Sequence, residues 1–403
     1  MLKKFLNNAP GLVGDIARHI YSALEWDQPS VALGAAITFV AALKSKRVVN
    51  QFNIAPNIYA ALVVLSGTGK SQAQHLIQTI CEESQSHKLL MGKPKSASGI
   101  LDAFVDENRQ FLIWDEFGIA LSALSKSKSS HEAMILSEMM DLFSSANRVY
   151  IGGAYSKKTT PTRQDISKPH LSVLGASTPN RFYGALNQDF IHDGFLTRWL
   201  IFESGEAPKG KDSNPLPTPT HIIEQISQIN IGESHPPTSL QNIITKKTTL
   251  IEFKVKPKGY LEIFQRSVKD KIEDCPTEIH RVFYSRLFEH TIKLCTVFEE
   301  NGICNHETFV YCRDLAKYLV DNAISVCDKR IFDSQLVKTE SDLRDRILGI
   351  LKVGQSIDKS SLARKIQHWG SSYDRKNIIN DILESETWIQ SKHENRTTYS
   401  RIV

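Results

Sequence analysis

Hydrophobic positions follow two different spacings along this chain, and together they predict a mixed α/β protein. A stripe at every fourth position from Leu12 to Leu24, followed by an Ala-rich apolar run at 31–43, predicts helices at the start of the chain. Short apolar runs that lead into polar residues predict buried strands at 63–65, 111–114 and 170–175. This alternation of helical and strand patterns places the protein in the α/β class.

The second half of the chain carries a different pattern. Residues 204–247 are rich in Pro, Ser, Thr, Asn and Gly and predict a long linker, interrupted by a short apolar run at 222–229. Helical periodicity resumes at residue 257 and continues to about residue 330. Arg286 lies at the edge of one of these predicted helices.

The stretch 57–71 combines the features that a phosphate-binding loop requires. A buried strand leads into a turn in which Gly67 and Gly69 let the backbone curl, so that consecutive N–H groups point inward. Lys70 supplies a point charge for the β- and γ-phosphates, and Ser71 supplies a hydroxyl for Mg²⁺. The helix that follows directs its positive end at the same anion. We therefore assign nucleotide binding to Gly67, Thr68, Gly69, Lys70 and Ser71.

One position of this loop departs from the usual pattern. The sequence G-x-x-x-x-G-K-[ST] calls for glycine where this chain has Val64. The alternative interpretation is an ordinary glycine-containing turn. The predicted strand before the loop and helix after it favour phosphate binding.

Two acidic residues end the predicted strand 111–114. A strand that ends in Asp115 and Glu116, downstream of the loop, is what a phosphate-loop enzyme needs on the neighbouring strand. Asp115 would hold the Mg²⁺ shell, and Glu116 would polarise the water that attacks the γ-phosphate. The alternative is that the pair caps the strand or begins a solvated loop.

Two further strand ends carry candidate catalytic groups. After the strand at 170–175, Thr178 and Asn180 are candidates to orient the attacking water. Arg198 comes directly before another apolar strand. It is either a salt-bridging surface residue or the charge that stabilises the transferring phosphoryl group, which a neighbouring subunit often supplies.

A basic segment at 154–163 separates two predicted strands. Its cationic side chains and a tyrosine either form a solvated hairpin tip or grip a nucleic-acid backbone, because cations neutralise phosphates and an aromatic ring can stack on a base. The sequence leaves these two alternatives equal. The DNA-binding candidates in this segment are Lys157, Lys158 and Arg163.

The last 60 residues predict three helices followed by two strands. The helices begin near Leu343, Asp358 and Tyr373, and the strands flank a turn at 393–396. This order is that of a winged helix-turn-helix, and a wing that binds protein is the alternative, since the segment is nearly balanced in charge. Candidate contacts to a duplex are Arg375, Lys376, Lys392 and Arg396.

Composition narrows the class of protein. The 403 residues carry a formal charge of +5, which permits a nucleic-acid partner without requiring one. The six cysteines form no Cys-x-x-Cys pair, which fits a reducing cytoplasm. The N-terminus does not have the pattern of a signal peptide, and the longest apolar stretch is too short to span a bilayer. We therefore expect a cytoplasmic protein without a membrane partner.

With these motifs in order, the chain resembles the ring-forming AAA+ helicases. It looks most like the primase-helicase family of phages, plasmids and genomic islands, with kinship to superfamily-3 and minichromosome-maintenance helicases. The similarity extends to about residue 330. The matching segments are Gly67–Ser71 for Walker A, Trp114–Gly118 for Walker B, the basic segment for the pre-sensor hairpin, Gly175–Pro179 for sensor 1, Gly194–Trp199 for the arginine finger and Ser285–Glu289 for sensor 2.

The resemblance implies a specific domain plan. It predicts an AAA+ P-loop NTPase core with a helical N-terminal lead-in, a helical lid and a C-terminal winged helix. The corresponding regions are a helical N-terminal region at 1–50, the ATPase core at 51–205, a linker at 206–250, the lid at 251–335 and the winged helix-turn-helix at 340–403.

The resemblance also implies an activity. It predicts an ATP-dependent DNA helicase and replication initiator of a mobile genetic element, with ATP and Mg²⁺ as cofactors and single- and double-stranded DNA as partners. The chain would form a homo-oligomer, a hexamer, and would depend on a separate primase or on host replication proteins. Thr178 would act as sensor 1, and Arg198 from the adjacent subunit would complete the site with Arg286. The alternatives are a DNA-binding AAA+ loader or switch without unwinding activity, and a non-enzymatic regulator.

Overall fold

A computed structural model describes residues 1–104, 107–126, 130–153, 165–186, 193–204, 207–230, 249–328, 356–365, 388–393 and 396–401. The chain divides into two units, residues 1–326 and residues 327–403. Each unit is described by itself below.

Parallel strands form the centre of the first unit. Its strands are β1 (Val48–Val49), β2 (Tyr59–Val63), β3 (Leu90–Met91), β4 (Arg109–Trp114), β5 (Val149–Tyr150), β6 (Ile166–Ser167), β7 (His170–Ser177), β8 (Trp199–Glu203), β9 (Thr249–Leu250), β10 (Glu252–Lys254) and β11 (Ile303–Asn305). Five of them form one sheet in the order β3–β4–β7–β2–β8, and every pairing in it is parallel. Strands β2, β7 and β8 are buried along their whole length, as expected for a parallel sheet covered on both faces.

The described helices of this unit pack on the sheet or on one another. They are α1 (Leu2–Asn7), α2 (Gly11–Ala23), α3 (Pro29–Lys44), α4 (Lys70–Glu83), α5 (Ala97–Asp102), α6 (Phe117–Lys126), α7 (Ser130–Ser145), α8 (Pro179–Ala185), α9 (Thr220–Asn230), α10 (Tyr260–Glu273), α11 (Glu278–Tyr284), α12 (Leu287–Phe298) and α13 (His306–Val326). Short 3₁₀ turns lie at His87–Leu89 and Leu196–Arg198. Within the described part of the chain, no helix is both long and apolar enough to cross a membrane.

One helix, α3, forms the hydrophobic layer on one face of the sheet. It is apolar on all sides and buried beyond its first residue, and it packs against β2, β4, β7 and β8. The ring of Phe39 on this helix lies 6.0 Å from the ring of Phe111 on β4. The predicted helical lead-in is therefore part of the core of the unit.

Helices α6 and α7 cover the opposite face. Phe111 pairs with Ser172 on β7, so both lie on the face that α3 covers. Gly175 is three residues further along β7 and therefore lies on the other face, because successive residues of a strand alternate. A side chain at Gly175 would meet Phe117 of α6 at 2.9 Å. Tyr59 of β2 points to this second face as well, and its hydroxyl donates to the carbonyl of Met139 on α7 at 2.7 Å.

The strand order corrects one expectation from the sequence. The strand that ends in the acidic pair, β4, was expected beside the strand that leads into the phosphate-binding loop, β2. Instead β7 lies between them and pairs with both. The local pattern of apolar residues determines that a strand forms, but it carries no information on which strand becomes its neighbour.

The predicted linker is partly folded. Residues 207–214 run beside the end of α2, where the backbone N–H of Asn214 donates to the carbonyl of Ser22 at 2.9 Å. The helix α9 then packs against α2 and α3. The long linker expected at 204–247 is therefore replaced, in its described part, by chain that packs on the N-terminal helices.

The helical region 251–326 is attached to the core by two buried cations. Lys44 at the end of α3 donates to Glu299, with 2.7 Å between Nζ and Oε1. Lys293 on α12 donates to the carbonyls of Ala55 and Asn57 just before β2, at 2.9 and 3.0 Å. Because both contacts exclude water, they fix α12 against the sheet.

The second unit contains a small antiparallel sheet. Its described elements are β12 (Ser356–Asp358), α14 (Lys359–Lys365), β13 (Trp388–His393) and β14 (Arg396–Arg401), and the strands lie in the order β12–β14–β13. The two strands predicted on either side of 393–396 are confirmed, and the helix predicted from Asp358 is present over Lys359–Lys365. Asp358 accepts from the backbone N–H of Ser361 at 2.9 Å. Strand β12 was not predicted.

The remaining C-terminal predictions fall largely beyond the described residues. The helices predicted near Leu343 and Tyr373 lie outside them, as do Arg375 and Lys376. Lys392 pairs in register with Thr397, and Arg396 pairs with His393, so both cationic residues lie at the end of the hairpin beside its turn.

Candidate functional site

The loop between β2 and α4 has the backbone of an anion cradle. Gly67 and Gly69 both adopt positive φ, +73° and +101°, which residues with a side chain rarely do. Gly69 caps the N-terminus of α4, which begins at Lys70. The loop therefore sits at the carboxyl edge of the parallel sheet and at the positive end of a helix, where an anion is favoured.

Lys70 folds back across this loop. Its ammonium donates to the carbonyls of Val64 and Leu65, at 2.9 and 2.8 Å. Burial lowers the pKa of Lys70, and the negative charge of Asp115 opposes that shift. Phosphate oxygens are stronger acceptors than these carbonyls, so a bound nucleotide would exchange neutral partners for charged ones.

The geometry explains Val64, where the usual pattern has glycine. Val64 is fully buried and does not adopt positive φ. Its N–H donates to the carbonyl of Ser177 at 3.1 Å and extends the pairing of β2 with β7. A β-branched residue suits this extended, buried position, since the turn itself is made by Gly67 and Gly69.

The acidic pair lies in a tight turn after β4. Asp115 accepts from the N–H of Glu116 at 2.9 Å, and the carbonyl of Glu116 accepts from the N–H of Ile119 in the first turn of α6. Glu116 has φ of +53°, an unusual conformation for a residue with a side chain. The turn leaves the Glu116 side chain exposed.

A close approach brings this turn beside the end of β7. A side chain at Gly118 would lie 2.2 Å from the hydroxyl oxygen of Ser177 and 3.0 Å from the backbone of Arg181. Thr178 follows β7 and precedes α8, and its side chain makes no capping hydrogen bond to that helix. Because α6 packs so closely here, the acidic pair and Thr178 face the same space.

These elements enclose one cavity of about 470 Å³. It brings together the predicted residues Gly67, Gly69, Lys70, Ser71, Asp115, Glu116 and Thr178. Thr68 is buried beneath the loop, where its hydroxyl donates to the carbonyl of Leu65 at 2.7 Å. Asn180, the other candidate for orienting water, lies on α8 and is not among the described residues that line the cavity.

The cavity also contains residues that the sequence did not single out. Glu25 and Trp26 follow α2, and Arg181 lies on α8. Arg181 comes three residues after Thr178, which places a cation at the end of β7. Glu25 and Trp26 have no local signal, because they precede the loop by some 40 residues and reach it only through the packing of the N-terminal helices.

The residues present suit Mg²⁺. Ser71 and Asp115 supply a hydroxyl and a carboxylate to the same cavity. Within the described residues, no cluster of three His, Cys, Asp or Glu side chains is arranged to hold a metal. Mg²⁺ in nucleotide sites usually takes one or two protein ligands and completes its shell with phosphate oxygens and water, so this pair is sufficient.

Arg198 lies at the amino edge of the sheet, where the parallel strands begin, opposite the carboxyl edge that carries the loop. It directly precedes β8, whose first residue, Trp199, pairs with Tyr59 at the start of β2. Five residues of strand separate the backbone of Arg198 from the start of the phosphate-binding loop, a rise of about 17 Å, and Arg198 is not among the described residues that line the cavity. The predicted arginine finger therefore does not enter the cavity of its own chain.

Arg198 is held in place by local contacts. Its Nη1 donates to the carbonyl of Gly194 at 2.5 Å. The neighbouring Thr197 carbonyl accepts from Nε2 of His290 on α12 at 2.9 Å. The contact between Thr197 and His290 brings the start of α12, which Arg286 caps, close to Arg198. Burial lowers the pKa of Arg198, and the positive charge of Arg286 lowers it further.

Arg286 accompanies Arg198 at this edge. It precedes α12 and forms an ion pair with Glu289, with 2.6 Å between Nη1 and Oε2. Arg286 borders a second cavity, together with Arg148 and the buried Lys293. The two arginines predicted to act in catalysis are thus together, but on the edge away from the phosphate-binding loop.

The strands that flank the basic segment lie near this edge too. Strands β5 and β6 pair antiparallel, and β6 ends shortly before β7 begins. The returning strand is therefore 166–167, whereas the sequence predicted it to be the strand beginning at 170. Lys157, Lys158 and Arg163 lie outside the described residues, between β5 and β6.

Comparison with known proteins gives no independent assignment. No protein-family model matches this chain, and no curated protein is significantly similar to it in sequence. The interpretation of the site therefore depends on its residues and their geometry.

Proposed function

We propose that this protein is an ATP-driven DNA helicase that initiates replication of a mobile element, with ATPase sites shared between subunits. One observation carries the proposal. The phosphate-binding loop, the acidic pair and Thr178 line one cavity, whereas Arg198 and Arg286 lie on the opposite edge of the same sheet. On this proposal each chain carries two halves of an ATPase site, and the two halves of one chain lie too far apart to meet.

The first half fits hydrolysis of the γ-phosphate. Lys70 and the amides of the loop would hold the phosphates, and Ser71 and Asp115 would hold Mg²⁺, which neutralises charge on the β- and γ-oxygens. Glu116 would polarise a water for in-line attack on the γ-phosphorus, so that the bond to the β,γ-bridging oxygen breaks and ADP leaves. Thr178 would orient that water.

The second half fits a role in the neighbouring subunit. A cation placed beside the γ-phosphate stabilises the charge of the transition state, and a second protein often supplies it. Arg198 is charged, half-buried and fixed by Gly194, which is the preorganisation that such a residue needs. Arg286 would assist it from the start of α12. A ring of subunits, six by the resemblance, would repeat this contact around the assembly.

Positive charge supports DNA as the partner. The basic segment with Lys157, Lys158 and Arg163 connects two antiparallel strands, as a hairpin that tracks a single strand would. The C-terminal unit has a helix and a hairpin sheet, compatible with a winged domain on duplex DNA. The net charge of +5 permits such binding.

Mixing two inactive variants tests the shared site. Arg198→Ala subunits retain Glu116, and Glu116→Gln subunits retain Arg198, so a mixed assembly contains some interfaces in which both residues are native. We expect each variant alone to lose at least about 100-fold in ATPase rate, and the mixture to regain activity. A mixture that stays inactive, although the subunits co-assemble, would refute catalysis at the interface.

Arg148→Ala is the matched control for this experiment. Arg148 lies at the same edge, but it donates to the carbonyl of Ser144 and belongs to its own helix end. We expect it to retain ATPase activity within about threefold of wild type. Equal losses for Arg148→Ala and Arg198→Ala would point to general damage at this edge.

Unwinding of forked DNA tests the helicase. We expect wild type to separate the strands in the presence of ATP, and Lys70→Ala to fail. The double variant Lys157→Ala/Lys158→Ala should lose stimulation of ATPase activity by single-stranded DNA while it keeps its basal rate. A wild-type protein that hydrolyses ATP but never unwinds would instead be a DNA-binding loader or switch.

A further inference from the structure

We propose that Trp26 is the platform on which the base of the bound nucleotide stacks. The inference rests on the proposed nucleotide site and adds to it the residue that recognises the base. Trp26 lies outside the phosphate-binding motifs, in the segment between α2 and α3, yet it lines the same cavity as Lys70 and Asp115.

Strand order determines which end of the cavity Trp26 occupies. The acidic pair follows β4, which lies on one side of β2. Trp26 forms a backbone bridge with Gly210, in the segment that follows β8 on the other side of β2. The cavity therefore runs from the acidic pair, past the loop, to Trp26.

The chemistry of hydrolysis assigns one end of this cavity to the γ-phosphate and the other end to the nucleoside. The γ-phosphate must lie at the acidic pair, because attack occurs there, and Lys70 and Ser71 hold the phosphates in the middle. The nucleoside must then extend toward the remaining end. Trp26 is the aromatic residue among the described residues that line this cavity.

The segment that carries Trp26 is fixed directly to the phosphate-binding loop. The side-chain amide of Gln72, in the first turn of α4, donates to the carbonyl of Ala23 at 2.7 Å. Leu24 lies against Gly69, where an added Cβ would be 3.1 Å from Cδ2. The position of Trp26 relative to the phosphates is therefore set by direct contacts.

Contacts on the other side of Trp26 hold it equally well. The N–H of Asp27 donates to the carbonyl of Lys209, and the N–H of Lys211 donates to the carbonyl of Glu25, both at 2.9 Å. The Asp27 carboxylate accepts from Lys3 at 2.9 Å and from the Tyr21 hydroxyl at 2.7 Å. The segment that carries Trp26 is thus fixed on both sides, so ordering it costs little entropy when a base stacks on Trp26.

The indole is also available to a ligand. It is partly exposed, and among the residues that the structure describes no aromatic ring stacks on it. An indole that lines a cavity is a favourable surface for a purine, since every base has a π-face that stacks on an aromatic ring.

Binding of ATP and of inorganic tripolyphosphate, both with Mg²⁺, separates the base from the phosphates. We expect Trp26→Ala to weaken ATP binding roughly 5- to 100-fold and to leave tripolyphosphate binding unchanged, measured by titration calorimetry on the full chain. Trp26→Phe keeps an aromatic face and should recover most of the ATP affinity. Ile119→Ala, which alters the cavity beside Glu116, is the matched control and should affect both ligands alike.

Each outcome decides the proposal. Loss of ATP binding alone supports the platform, and equal loss of both ligands, or no loss, overturns it. If wild type binds tripolyphosphate as tightly as ATP, base recognition by Trp26 is refuted, while phosphate binding by the loop remains supported. Wild type that binds neither ligand, with Lys70→Ala indistinguishable from it, would refute the nucleotide site and the platform together.

Discussion

Replacing Val64 by glycine would restore the usual sequence of the phosphate-binding loop, yet we expect it to harm the protein. Val64 is fully buried, and its backbone has no need of positive φ. Losing a buried valine side chain costs about 1.5–3 kcal/mol, and the added freedom of glycine in the unfolded chain costs a further 0.5–1 kcal/mol or so. Together these terms predict a loss of roughly 2–4 kcal/mol in the free energy of unfolding.

The same change should leave nucleotide binding nearly as it was. The cradle is formed by Gly67 and Gly69, whose conformations do not depend on a glycine at position 64. We expect the ATP affinity of Val64→Gly to stay within about threefold of wild type. Urea unfolding gives the stability of the protein, and titration calorimetry with Mg²⁺ and ATP gives the affinity.

Gly69→Ala is the opposite perturbation and serves as the comparison. Its φ of +101° is strained for alanine, and the new methyl group would lie 3.1 Å from Leu24. We expect a loss of at least about tenfold in ATP affinity. If Val64→Gly instead binds ATP tenfold more tightly without a loss of stability, then Val64 is a defect in the loop and not a residue suited to a buried, extended position.

Further outcomes follow from four individual residues, Lys70, Glu116, Lys44 and His290. Lys70→Ala should abolish ATP binding, whereas Glu116→Gln should bind ATP and fail to hydrolyse it, as direct binding and turnover assays would distinguish. Lys44→Met should lower the free energy of unfolding by about 3–5 kcal/mol, because it leaves Glu299 buried without its cation. A double variant that removes both charges should lose less, and urea unfolding measures both losses. Burial lowers the pKa of His290 from 6.5 to about 4. As the pH falls, His290 of the unfolded chain is therefore protonated before His290 of the folded protein. The free energy of unfolding should consequently fall by about 3 kcal/mol between pH 6.5 and pH 4. His290→Gln should show a smaller loss over the same pH range.

Local sequence patterns were sufficient to predict the residues that form the loop and the acidic pair. An apolar run that ends in a glycine turn, or in two acids, marks a strand end whatever surrounds it. Because the carboxyl ends of parallel strands share one edge, Lys70, Asp115 and Thr178 then meet in one cavity. These parts of the site could be predicted because each depends on a few consecutive residues.

Contacts between distant segments could not be predicted in this way. Trp26 reaches the cavity because residues 25–27 pair with 209–211, and nothing in either segment marks that pairing. The insertion of β7 between β2 and β4 has the same origin. Very short strands such as β6 and β12 were missed because two or three residues carry no measurable periodicity.

The separation between Arg198 and the phosphate-binding loop constrains any account of catalysis. The loop follows β2 and Arg198 precedes β8, and these two strands pair directly along five residues. No hinge between the strands could therefore bring Arg198 to the loop within one chain. Arg198 either acts on the nucleotide of a second subunit or takes no part in hydrolysis. This choice does not involve DNA, because Arg198 and the loop adjoin strands of the five-strand sheet and are not among the candidate DNA contacts. A failure to unwind DNA would therefore not count against the proposed shared ATPase site. A failure of the mixed variants would refute that proposal without deciding whether DNA binds.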